Sequence, residues 1–172
     1  MASSLKNLSK YNDKSVPSAE KMAFGIVVSE WNSKITHALY EACYDTLIKH
    51  GANEDKIFTE QVPGTFELPV GAKILASNEK LDAIICLGCV IKGETPHNEY
   101  INQAVATGLV QLSILHSKPF IFGVLTPNTE QQAKDRAGGK HGNKGVEAAI
   151  TAIRMAALKI KFGKAKQKIG FS

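Results

Sequence analysis

Four short stretches of strand character, each followed by a segment of helical period, constrain this chain more than any other feature. Ala23–Ser29 (AFGIVVS), Leu81–Ile91 and Pro119–Leu125 are apolar and rich in β-branched residues, as strands buried on both faces are, and Lys56–Val62 reads as a fourth. From Asn32 onward Ile35, Leu39, Cys43 and Leu47 recur every four residues, and Gly51 after His50 suits a left-handed C-cap. Phe66–Ser77 reads as a second helix. A third runs from near Pro96 to about His116, with Ile101, Val105, Leu109 and Leu112 on one stripe. Two more fall around Thr129–Ala137 and Lys144–Lys161. Strands joined through helices of this length pair in parallel by right-handed crossovers, so the expected fold is α/β: a three-layer α/β/α sandwich around a sheet of about four parallel strands.

A length of 172 residues suits one domain with its own core. At 44% hydrophobic and 22% charged residues, the composition lies far from that of disordered chains. The longest nearly pure apolar run, Ala83–Ile91, is about half of the ~18 residues that suggest a membrane span, so no membrane association is expected. Met1–Lys21 lacks the apolar core and small-residue cleavage pattern of a secretory leader, and a cytoplasmic location is expected. Three cysteines, Cys43, Cys86 and Cys89, offer no framework of bridges, which fits a reducing compartment. Cys86 and Cys89 form a C-x-x-C. Three positions apart on a strand they face opposite sides of the sheet, and no second Cys/His pair completes a tetrahedral site, so they are expected to be small buried hydrophobes and no metal is indicated.

The net charge of +5 raises the question of a nucleic-acid partner, but the charge sits at the ends. Met1–Lys21 carries four lysines against Asp13 and Glu20, and Lys159–Ser172 carries five lysines and no acid. Met22–Leu158 is left slightly negative, with no aromatic stacking surface beside the basic tail, and nucleic acid is not expected as a partner.

Ligands of such sheets bind beyond the carboxyl ends of the strands. The first strand ends in Ser29-Glu30-Trp31-Asn32. The single tryptophan, Trp31, can stack on a planar heteroaromatic ring or serve as a staple over a helix start capped by Asn32. The second ends in Val62-Pro63-Gly64-Thr65-Phe66-Glu67, where Gly64 allows a tight turn and Thr65 can cap the helix. Glu67 in its first turn either accepts bonds from ligand hydroxyls or simply complements the helix dipole. The third leads into Cys89-Val90-Ile91-Lys92-Gly93-Glu94-Thr95-Pro96-His97. With Thr95 as N-cap and Pro96 at the first helical position, the N–H groups of Gly93, Glu94 and Thr95 can converge on a phosphate. His97 then stands in the first turn as a candidate proton shuttle, the alternative being an ordinary surface histidine. Arg136–Gly145 (RAGGKHGNKG) puts three cations and four glycines between two helices. It lacks P-loop spacing, yet as a flexible basic loop it can hold a phosphate through the planar fork of Arg136, unless it is merely solvated.

Together, FGIVVSEWN, VPGTFELP, VIKGETPH, FGVLT and RAGGKHGNKG followed by VEAAITAI resemble, in order and spacing, the 6,7-dimethyl-8-ribityllumazine synthase family of riboflavin biosynthesis, over about Ala23–Lys159. The resemblance implies a flavodoxin-like domain over 23–159, preceded by a polar extension at 1–22 and followed by a basic tail at 160–172. It implies a transferase that uses no cofactor and no metal. Such an enzyme condenses 5-amino-6-(D-ribitylamino)uracil with 3,4-dihydroxy-2-butanone 4-phosphate, releasing phosphate and water. Carried over residue by residue, Trp31 stacks on the pyrimidine, Thr65, Phe66 and Glu67 bind the ribityl chain, and Cys89, Val90 and Ile91 line the ring through their backbone. Glu94, Thr95 and Arg136 hold the phosphate, His97 moves protons, and Phe122 covers the ring from a neighbouring subunit. Asn32, Lys92, Lys144 and Glu147 are secondary positions. The implied assembly is a homo-oligomer of pentamers with the site between adjacent subunits. The short Gly138–Gly142 link favours a shell of twelve pentamers, sixty subunits in all. The competing readings are a flavin- or lumazine-binding module without catalysis and a cage protein with a vestigial site.

Overall fold

A computed structural model describes residues 7 and 9–167. Four strands, β1 (Phe24–Ser29), β2 (Ile57–Val62), β3 (Ala83–Cys89) and β4 (Phe120–Leu125), form one parallel sheet in the order β2-β1-β3-β4. β1 and β3 are buried along their whole length, as their apolar runs require, whereas the edge strand β2 carries exposed Thr59, Glu60 and Gln61.

The helices are α1 (Ser33–Lys49), α2 (Leu68–Asn78), α3 (His97–His116), the short α4 (Glu130–Asp135) and α5 (Lys144–Gln167). Side chains alternate across the pleat. Phe24, Ile26 and Val28 of β1 and Ala83, Ile85 and Leu87 of β3 meet Leu39, Cys43 and Leu47 of α1 and Ala149, Ala152 and Ile153 of α5. On the opposite face Val27, Ile84, Cys86 and Val124 meet Leu68, Ala72 and Leu75 of α2 and Val105 and Leu109 of α3. Each large side chain fully buried here, such as Phe24, Leu39 or Leu109, contributes about 1.5–3 kcal/mol. The expected three layers are therefore present. Cys86 and Cys89 belong to opposite faces, and all three cysteines are free and buried.

α1 carries the chain from β1 outward to β2, while α2 and α3 carry it the other way, past β1 to β3 and on to β4. Crossovers of one hand in opposite directions lie on opposite faces, which accounts for the layers. The reversal makes a crevice between the carboxyl ends of β1 and β3. α1 and α5 approach very closely at Gly145, where a Cβ would overlap the Leu39 carbonyl oxygen.

Several local expectations are corrected. A 3₁₀ turn at Thr65–Glu67 precedes α2, which begins at Leu68 rather than Phe66, with Pro69 in its first turn. Pro96, not Thr95, occupies the cap position of α3 and makes no side-chain cap bond. Gly64 has extended backbone (φ −139°), so its value lies not in a tight turn but in its missing Cβ, which would stand 2.8 Å from a Glu67 carboxylate oxygen. α4 ends at Asp135, and Arg136–Gly145 is no open loop: β5 (Ala137–Gly139) and β6 (Gly142–Asn143) pair there as an antiparallel hairpin. α5 continues past Lys161 to Gln167, so the start of the lysine-rich tail is helical; 168–172 lie outside the described residues, as do residues 1–6 and 8 of the N-terminal extension. No helix among the described residues is long and apolar enough to cross a membrane.

Candidate active site

At the crevice between β1 and β3 lies a cavity of about 700 Å³ lined by Trp31, Asn32, Gly64, Thr65, Phe66, Glu67, Cys89, Val90, Ile91, His97, Tyr100 and Ile101. Three chain segments far apart in sequence meet there, one after each of the first three strands. Backbone bonds extend the sheet past its strand ends and fix these segments: Trp31 N–H donates to Pro63 C=O at 3.2 Å, Val90 N–H to Leu125 C=O at 2.8 Å, and Lys92 N–H to Pro127 C=O at 2.9 Å. Because alternate residues of a parallel strand bond to opposite neighbours, pairing of Val90 and Lys92 toward β4 turns the peptide groups of Cys89 and Ile91 toward β1. The Cys89 carbonyl accepts from the Asn32 side-chain amide at 2.9 Å, a strut across the crevice. Asn32 itself is left-handed (φ 60°, ψ 42°), a conformation that asparagine tolerates better than most residues. It occupies the α1 cap position without a side-chain cap bond, so its amide serves the strut instead.

Trp31 is 72% exposed and also borders a second depression of about 620 Å³. It is not a staple packed over the helix, and its ring is open to a stacking partner. Phe66 and Tyr100 are also exposed, so three aromatic rings stand uncovered around one cavity. Thr65 by contrast is buried, its hydroxyl 3.4 Å from that of Ser29, and it reaches this depth because Gly88 lacks a Cβ in its way. Glu67 lies over Gly64 and is exposed to the cavity. His97, the first residue of α3, is exposed on the same cavity, beside the unpaired N–H groups of the helix start. Burial pushes the Cys89 thiol up to about 12 and raises that of Cys86, so neither sulfur is a nucleophile near neutrality. Among the described residues no three His, Cys, Asp or Glu side chains gather as a metal site would require.

Of the residues singled out from the sequence, Trp31, Asn32, Thr65, Phe66, Glu67, Cys89, Val90, Ile91 and His97 share this cavity. Lys92, Glu94 and Thr95 follow on the exposed link to α3, outside its lining. Phe122 lies on the edge strand β4, half-buried against the α2/α3 side of the sheet. Arg136, Lys144 and Glu147 form a separate cluster at the hairpin. The Arg136 guanidinium donates to Glu147 Oε1 at 2.6 Å and to the His141 carbonyl at 2.9 Å, and Lys144 Nζ reaches Glu147 Oε2 at 3.2 Å. Tyr100 and Ile101 were not among the expected residues. They stand three and four positions after His97, the spacing that puts helical residues on one face, and that spacing could have found them.

The 2-1-3-4 strand order with helices on both faces defines a flavodoxin-like α/β protein, whose switch-point cavity brings together an exposed ring, a carboxylate and a helix-start histidine. Sequence comparison narrows this class. A family model described as 6,7-dimethyl-8-ribityllumazine synthase matches residues 21–160. A protein of that name from Parabacteroides distasonis is 52% identical over 155 residues, covering 90% of this chain and 97% of the relative. One from Cytophaga hutchinsonii is 53% identical over 157 residues, 91% of this chain and 98% of the relative. One from Bacteroides fragilis is 55% identical over 134 residues, 78% of this chain and 94% of the relative. The chain belongs to the 6,7-dimethyl-8-ribityllumazine synthase family.

Proposed function

We propose that the chain condenses 5-amino-6-(D-ribitylamino)uracil with 3,4-dihydroxy-2-butanone 4-phosphate to 6,7-dimethyl-8-ribityllumazine, and that the switch-point cavity holds the uracil. The observation that carries this reading is the convergence of Trp31, Glu67, the Ile91 backbone and His97 on one cavity at the reversal of strand order. Trp31 stacks on the pyrimidine, while the peptide groups of Cys89 and Ile91 on the β1 side meet its polar edge and Val90 between them lines the pocket. Thr65, Phe66 and Glu67 receive the ribityl chain, the Glu67 carboxylate accepting from its hydroxyls.

The reaction asks little covalent chemistry of the protein. The uracil's 5-amino nitrogen is a nucleophile and the ketone of the butanone phosphate an electrophile, so alignment supplies much of the acceleration. Attack forms a carbinolamine; loss of water gives the Schiff base, removal of a proton from carbon expels phosphate, and the enol left behind becomes a ketone that the ribitylamino nitrogen attacks, closing the ring with loss of a second water. His97 accepts and returns the protons in these steps. Glu94, Thr95 and the N–H groups at the start of α3 hold the phosphate, joined by Arg136. Lys92, Lys144 and Glu147 are secondary to it, Glu147 orienting the Arg136 guanidinium.

Arg136 and Phe122 lie outside the cavity of their own chain, which supports a site completed by a neighbouring copy. The uncovered rings of Trp31, Phe66 and Tyr100 fit the same reading, since exposed aromatic clusters mark surfaces that become covered. We propose pentamers with the site between adjacent subunits, assembled into a sixty-subunit shell. Light scattering that finds only a five-subunit mass at physiological ionic strength would exclude the shell. For the activity, purified protein is mixed with both substrates and lumazine absorbance followed against an enzyme-free blank. Formation well above the blank is expected; no acceleration by folded, oligomeric protein would refute the reading.

A further inference from the structure

The N-terminal segment runs along α1 and is tied down at intervals. The Ser9 hydroxyl meets Asn143, and the Tyr11 hydroxyl lies 3.1 Å from His50 Nε2. Asp13 pairs with Lys49 at 2.9 Å, the Ser15 hydroxyl accepts from Arg154 at 3.0 Å, and Ala19 N–H donates to the His50 carbonyl at 2.8 Å. Most of these ties hold the segment to helices far from the hairpin. The Ser9 tie is different in kind.

Asn143 is opposite Ala137 in the hairpin, and the next rung outward is the bond from Lys144 N–H to the Arg136 carbonyl at 2.9 Å. In an antiparallel ladder the residue pair beside such a rung turns its own N–H and C=O away from the partner strand. Both outward groups of Asn143 are taken by one hydroxyl: Asn143 N–H donates to Ser9 Oγ at 2.5 Å, and Ser9 O–H donates to the Asn143 carbonyl at 2.9 Å. Serine can do both at once because its hydroxyl is donor and acceptor. Ser9 is itself oriented by its N–H bond to Asn7 Oδ1 at 2.9 Å. Gly142, at φ +84°, leaves the room that Ser9 occupies, since a Cβ there would overlap Ser9 Oγ.

The hairpin grips Arg136 twice, through its carbonyl on Lys144 and through its guanidinium on the His141 carbonyl. We propose that Ser9 is a positioning residue for Arg136: by satisfying the free edge of Asn143 it fixes the hairpin that aims the guanidinium. This rests on the role of Arg136 as a phosphate ligand given above. Ser9 touches no reacting atom. Asn143 keeps two other anchors, its amide on the Ala38 carbonyl at 2.9 Å and its Oδ1 on Gly145 N–H at 2.8 Å, so removal of the Ser9 hydroxyl loosens the hairpin without unfolding the domain.

The test compares Ser9→Ala, Ser9→Thr, Ser15→Ala and Arg136→Ala in the full-length assembled enzyme, measuring kcat and KM for the butanone phosphate. Ser9→Ala is expected to raise that KM about 3- to 10-fold, the range set by one or two lost hydrogen bonds, with kcat within about twofold of wild type. Ser9→Thr, which keeps the hydroxyl, restores the KM, and Ser15→Ala, which loosens the same segment away from the hairpin, leaves it unchanged. Should Ser9→Ala fail to assemble, Ser9→Cys keeps the volume with a weaker donor and acceptor and is expected to raise the KM in its place. A wild-type KM in the assembled Ser9 variant while Arg136→Ala raises it overturns the proposal. Equal KM shifts in Ser9→Ala and Ser15→Ala overturn it too, by reducing Ser9 to general anchoring. A wild-type KM in Arg136→Ala instead overturns the phosphate role of Arg136 on which the proposal rests.

Discussion

Asn32 joins two costs that substitution can separate. Its left-handed backbone would cost a residue such as alanine about 1–2 kcal/mol, and its amide strut to the Cys89 carbonyl is a partly buried hydrogen bond worth about 0.5–1.5 kcal/mol net. Asn32→Ala bears both, for about 2–3 kcal/mol. Asn32→Gly loses the strut but adopts φ 60° freely, and its added unfolded-state entropy brings the total to about 1–2 kcal/mol. Both variants also free the Cys89 carbonyl and let the ends of β1 and β3 part, so the KM for the ribitylaminouracil should rise in each. Urea unfolding at one fixed protomer concentration, which holds any contribution from assembly constant, reads the stabilities. If Asn32→Ala proves no less stable than Asn32→Gly, the left-handed backbone is not a constraint in solution. If both keep the wild-type KM, the strut does not shape the site.

His97→Ala should lower kcat about 10²- to 10⁴-fold while the oligomer mass by light scattering stays unchanged; unaltered turnover would remove His97 from proton transfer. Burial holds the His50 imidazole below its usual range, although Asp13 nearby opposes this. The folded state therefore resists protonation more than the unfolded one, and this residue should cost stability as pH falls below about 6.5, the unfolded value, and have no such effect above it. A His50→Gln chain should show a shallower acid-side loss in urea midpoints between pH 7 and 5, and an identical slope would refute the assignment. Cys43, Cys86 and Cys89 are buried with raised thiol pKa values. An aromatic disulfide reagent at pH 8 should label them only as fast as the chain unfolds, so rapid native labelling would contradict the burial.

The layers were legible because burial leaves a direct mark on composition. β1 and β3 are covered on both faces and must be apolar throughout, while Leu39, Cys43 and Leu47 repeat at the spacing of one helix face. The strand-end rule then pointed to Trp31, Glu67, Ile91 and His97, which do share a cavity. What the sequence concealed depends on which groups meet. Nothing local distinguishes an Asn32 that caps its helix from one that braces Cys89, because both use the same amide. The β5–β6 hairpin looked like open loop since its glycines carry no strand preference, and its Asn143 is held by Ser9 and the Ala38 carbonyl, partners remote in sequence. Helix starts slipped by one or two residues wherever proline stood near them, at Pro69 and Pro96, where several positions satisfy the same backbone requirement.

The exposed position of Trp31 makes the chain its own spectroscopic probe. As the single tryptophan, it is the sole indole emitter, and its emission maximum and iodide quenching report how far the ring is covered. A heterocycle laid against the ring would change both at once. Occupancy can thus be titrated by fluorescence without label or turnover, even in variants such as His97→Ala that no longer react.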